Sequence, residues 1–236
     1  LLVSGLAFSA AVVAQAATAA TPESAPAAAA TPESAPAAPE PPPPPPGLGT
    51  EYTEKGADAC LMCHTEAWPY PIFPIFKSKH AQRADARTPF AGRQCEACHG
   101  PGAKHAGSGD KNAINSHKAT SFLPPAERNK FCLECHRGNS RTGWHASTHE
   151  SNNLACTSCH KIHAERDPVL AKATQPDVCY ACHRDRRADF FKRSTHPVRF
   201  ARMTCSECHS PHGSTTVAML AKPSVNQTCF TCHAEK

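Results

Sequence analysis

The sequence predicts mostly short α-helices and irregular loops, with little or no β-sheet and no conventional core within any one repeat. Three observations lead there. Aromatic residues make up only 6% of the 236 residues, too few for a large side-chain core of ordinary type. The pattern Cys-x-x-Cys-His occurs seven times, at Cys60–His64, Cys95–His99, Cys132–His136, Cys156–His160, Cys179–His183, Cys205–His209 and Cys229–His233. The last five copies recur every 23 to 26 residues, and a unit that short cannot bury a core of its own.

The pentads account for all 14 cysteines: Cys60, Cys63, Cys95, Cys98, Cys132, Cys135, Cys156, Cys159, Cys179, Cys182, Cys205, Cys208, Cys229 and Cys232. Zinc sites use paired cysteines but do not require a histidine directly after the second one in every copy. Thioredoxin-like pairs sit at a strand–helix junction that is missing around these motifs. A disulfide scaffold suits an exported Cys-rich chain but leaves the seven adjoining histidines without a role. Covalent c-type haem attachment uses all five positions, with two thiols for thioethers and the histidine for iron. The expectation is seven haem c groups. Their proximal ligands are His64, His99, His136, His160, His183, His209 and His233, and the apolar porphyrins stand in for the core.

The formal charge of +5 does not point to nucleic acid. A bis-imidazole ferric haem with ionised propionates carries about −1, so seven would bring the loaded chain to about −2. The basic residues are absorbed by the chain's own cofactors.

Residues 1–16 read as the remnant of a signal peptide, apolar through Val13 and closing on Ala14-Gln15-Ala16, a small-residue cleavage pattern. Residues 17–50 repeat TPESAPAA and then run through six prolines, the composition of a disordered, partly polyproline tether. Order is expected from about Glu51, and residues 51–236 form the multihaem domain. The segment Trp68–Phe76 carries three prolines, which forbid a regular helix. It is read as packing over the first haem, with an apolar partner surface as the alternative.

Eight histidines remain: His80, His105, His117, His145, His149, His163, His196 and His212. His163 and His212 each follow a proximal histidine by three residues, and His105 follows His99 by six. His149 and His196 precede pentads. With only three methionines in the chain, bis-histidine iron is the expectation, and a methionine-raised potential is not. His117 is taken as the surplus residue; His145 is kept as a ligand candidate. Eight candidates for seven positions can close every iron. That favours electron transfer over a multihaem oxidoreductase of the nitrite or hydroxylamine type, which needs an open position and acid–base groups and is kept as a lesser alternative. No catalytic residue and no small-molecule substrate are therefore assigned.

Several stretches resemble the MtrA/PioA/MtoA (DmsE-type) decahaem cytochromes. They are Lys55–His64, Gln94–Pro101, Asp167–Lys172, Arg193–Pro197, Met203–Ser214 and Lys222–Asn226. The resemblance covers residues 55 to 236. It implies a first pentahaem unit over about 51–187 and the start of a second at 188–236. Distal ligands are implied at His80, His105, His149, His163, His196 and His212, with His117 and His145 unmatched. It further implies a periplasmic, outer-membrane-associated electron conduit held in a β-barrel porin, exchanging electrons with periplasmic and extracellular cytochromes. A freely diffusing periplasmic shuttle is the alternative. The family carries ten haem motifs against seven here, so the chain is expected to be a piece of a longer protein.

Overall fold

The seven pentads share one local geometry, and it follows from hydrogen bonding. In each, the histidine amide donates to the carbonyl of the first cysteine, four residues back, at 2.9 to 3.0 Å. Each pentad is therefore a single helical turn. The thiols at i and i+3 and the imidazole at i+4 fall on one face, as attachment to one planar group requires.

The computed structural model describes residues 47–235; the signal-peptide remnant and nearly all of the tether lie outside them. The described residues fall in one compact unit. They carry short α-helices, of which the longest, Pro125–Leu133, has nine residues. Short 3-10 turns alternate with these helices. Pairing of extended backbone is limited, among the described residues, to an isolated bridge between His209 and Leu220. The predicted class is the observed one.

Packing begins slightly before Glu51: Leu48 is buried and the Gly49 amide donates to the Ala113 carbonyl. The three prolines of the aromatic segment leave only a 3-10 turn, Phe73–Lys77. Phe73, Phe76 and Phe90 meet edge to face, and Trp68 lies edge-on to His64 at 4.7 Å.

Successive pentads are tied in twos by amide side chains. Gln94, just before the second pentad, accepts from Ala57 N at 2.6 Å at the start of the first-pentad helix. Asn129, before the third, accepts from Cys156 N of the fourth and donates to the Leu154 carbonyl. Gln175, before the fifth, accepts from Ser206 N of the sixth and donates to the Val169 carbonyl. Asn129 and Gln175 are buried, where an amide must be fully partnered.

The apolar core is thin. Leu48, Ala57, Phe90, Ala113, Leu123, Trp144, Ala155 and Val198 are the buried hydrophobics among the described residues, while Phe191, Phe200, Leu170 and Val217 are exposed. Polypeptide alone does not bury these side chains, so the fold leaves apolar surface for another group to cover.

Candidate functional site

The histidines come together in pairs. His64 faces His105 at 6.2 Å between ring centroids, His80 faces His136 at 6.0 Å, and His99 faces His163 at 6.0 Å. His149 faces His183 at 6.2 Å, His160 faces His212 at 6.0 Å, and His196 faces His233 at 6.3 Å. Every pair joins one proximal histidine to one of the spare histidines. Two trans imidazoles bound to one metal at about 2 Å, with ring centres about 1 Å farther out, stand with centroids about 6 Å apart. The gap suits a shared iron and is too wide for direct contact.

The ring nitrogens are arranged to match. Nδ1 of His99 donates to the Asn115 carbonyl at 2.6 Å, and that of His209 to Ala218 at 2.8 Å. Among the distal residues, His105 donates to Asp110 and His149 to Pro211. Each leaves Nε2 with its lone pair free, as a ligand needs. Burial lowers the pKa of His64, His80, His99, His136 and His212, and that of His163 to about 4. Lowering favours the neutral, coordinating form at neutral pH.

The histidines outside the pairs are His117, His145 and His209. His117 uses Nε2 itself, donating to the Cys98 carbonyl at 2.6 Å, which is the bonding of a structural histidine. His145, kept as a ligand candidate on sequence grounds, is placed elsewhere: its exposed ring bonds Glu150 at 3.0 Å. His209 carries the Nδ1 bond of a ligand without a facing imidazole among these pairs.

The thiols run in chain order. The neighbouring Cys95 pushes up the pKa of Cys60, Cys156 that of Cys132, and Cys205 that of Cys179. The second thiols of the even-numbered pentads feel the next pentad: after burial, Cys135 raises the pKa of Cys98, Cys182 that of Cys159, and Cys229 that of Cys208. All fourteen thiols are unbridged. Among the described residues no three His, Cys, Asp or Glu side chains converge on a bare-metal site.

Haem fits these residues by a further test. Ser78 Oγ, Arg128 Nε, Arg141 Nε and Trp144 Nε1 are buried polar atoms without a partner, and each can donate to a carboxylate such as a propionate. Arg141 acts electrostatically on both His136 and His212, and Trp144 lies 6.4 Å from the His212 ring. Two of the four therefore border the His80/His136 and His160/His212 pairs.

Sequence reasoning missed Gln94, Asn129, Gln175 and Asp167, the last of which accepts from His160 Nδ1 at 2.6 Å. Their offsets from the pentads differ, so no fixed motif marks them.

Comparison with known proteins bears on the family. The family model described as cytochrome c-type protein NrfB-like matches residues 95–176. The doubled CXXCH motif matches residues 196–236, and cytochrome c554 and c-prime matches residues 47–100. The chain is 46% identical over 185 residues to multiheme cytochrome MtrA of Shewanella baltica, covering 78% of this chain and 55% of that one. It is 25% identical over 167 residues to C-type polyheme cytochrome OmcB of Geobacter sulfurreducens, covering 67% of this chain and 20% of that one. Against cytochrome c-type protein NrfB of Haemophilus influenzae it is 22% identical over 174 residues, covering 56% of this chain and 76% of the relative. The chain thus spans about half the length of the MtrA it matches. No described helix is long and apolar enough to cross a membrane.

Proposed function

The chain belongs to the multihaem c-type cytochromes, and from that premise we propose that it is a seven-haem electron conduit rather than an enzyme. The observation that carries this is the set of six imidazole pairs at 6.0 to 6.3 Å. Bound haem supplies one-electron exchange at iron. The chain's residues do the rest. Fourteen cysteines would anchor the groups. The proximal and distal imidazoles of His64/His105, His99/His163, His136/His80, His160/His212, His183/His149 and His233/His196 would hold six of the irons and leave a substrate no position at those six. Ligands that stay the same in both oxidation states would keep reorganisation small, which suits electron transfer. Thiol neighbours in chain order give a relay order from the first pentad to the seventh.

Similarity to MtrA supports a periplasmic setting, association with the outer membrane through a β-barrel porin, and exchange with periplasmic and extracellular cytochromes. Neither nucleic acid nor a small-molecule substrate belongs to this reading. The test is twofold. Mass spectrometry of the matured protein should show seven covalent haem increments, and affinity purification from its native host should retain a β-barrel protein. Zinc or free thiols in place of haem would overturn the conduit. Seven haems with no barrel would make it a diffusing shuttle.

A further inference from the structure

The fourth pentad differs from the others in what holds its histidine. His160 Nδ1 donates to Asp167 Oδ2 at 2.6 Å, and the Asp167 side chain is only 12% exposed. The other carboxylate oxygen accepts from the amides of Lys161 and Val169. Asp167 is also the residue that starts the 3-10 turn Pro168–Leu170, so its position is fixed from both sides. The proximal histidines His99 and His209 donate instead to neutral carbonyls. Among the described residues, His160 is the proximal histidine with a carboxylate partner.

A carboxylate accepting from Nδ1–H draws the proton away and makes the ring a stronger donor to its metal. Stronger donation favours ferric over ferrous iron and lowers the reduction potential. The charge is not cancelled nearby. Lys161 Nζ reaches the Thr157 carbonyl, and Asp167 has no ion-pair partner other than His160 among the described residues. Arg141 acts on His136 and His212 together, so it does not single out the fourth site.

We infer that Asp167 is a positioning residue that gives His160 imidazolate-like character and makes the fourth haem a low-potential step in the relay. This rests on the reading of His160 and His212 as the axial ligands of one haem. The step lies fourth among the seven pentads of this sequence.

The test uses the intact holoprotein and Asp167→Asn, which keeps a hydrogen-bond acceptor and removes the charge. In potentiometric titration one of the seven midpoints should move up while the other six hold. In near-infrared magnetic circular dichroism of the ferric wild type, one haem's share of the low-spin charge-transfer band should sit at higher energy, the signature of an imidazolate-like ligand. In Asp167→Asn it should rejoin the rest. The wild-type band stands as a measurement even where the variant fails to mature. Low-spin haems with no displaced band, or with midpoints unmoved by the substitution, overturn the inference and leave the conduit intact. Absence of covalent low-spin haem overturns the conduit itself.

Discussion

An imidazole can serve a metal only through a nitrogen that nothing else occupies, and that separates histidines the sequence could not. His163 faces His99 with a pKa near 4, neutral and unengaged. His117 has a similar pKa, yet its Nε2 is taken by the Cys98 carbonyl. Burial is shared by both; only the hydrogen bond tells them apart. His163→Ala should therefore open the second haem, giving a high-spin ferric signal and carbon monoxide uptake after reduction. His117→Ala should leave the haem spectra unchanged. It strips a donor from the Cys98 carbonyl, so chemical unfolding should show a loss of about 1–3 kcal/mol. The attachment cysteines and proximal histidines were legible in sequence because their chemistry demands five contiguous residues. The facing histidines were legible only as candidates, because each pairing joins residues from different repeats.

At the level of elements, the pentad turns are local and the ties between them are not. The seven turns follow from i-to-i+4 bonds within each motif, so their helical character could be read from spacing. The amides of Gln94, Asn129 and Gln175 could not, since each caps a neighbour far along the chain from a different offset. Asn129→Ala removes the acceptor for Cys156 N and the donor to Leu154 from a buried site. The expected cost is about 1–3 kcal/mol, measured by denaturation. The disturbance should concentrate on the third and fourth haems, read from their low-spin signals.

A second element depends on a close approach. Gly213 has φ +106°, and a Cβ there would strike the Gly143 carbonyl and come within 2.9 Å of Ser147 Cβ. The same loop carries His212 and, through the Pro211 carbonyl, holds His149. Gly213→Ala is strained in φ as well as crowded. It should push His212 off the fourth iron and leave part of that haem high-spin in the ferric spectrum.

At the scale of the whole molecule five of the six pairings obey a two-pentad register; the first, His64 with His105, spans one pentad. The third, fifth and seventh proximal histidines face His80, His149 and His196, each drawn from the segment two pentads back. The second and fourth face His163 and His212, each three residues after the proximal histidine two pentads ahead. None of the six paired sites is therefore completed from within its own repeat, the logic of a repeat protein whose stability lies in its interfaces. Thin cores and exposed aromatics within single repeats have the same origin. The sixth proximal histidine, His209, has its Nδ1 held by Ala218 and no facing imidazole among these pairs. The polypeptide of this sequence, matured and reduced, should therefore bind carbon monoxide at one iron per molecule. If it binds none and His145→Ala makes it bind one, His145 fills the position.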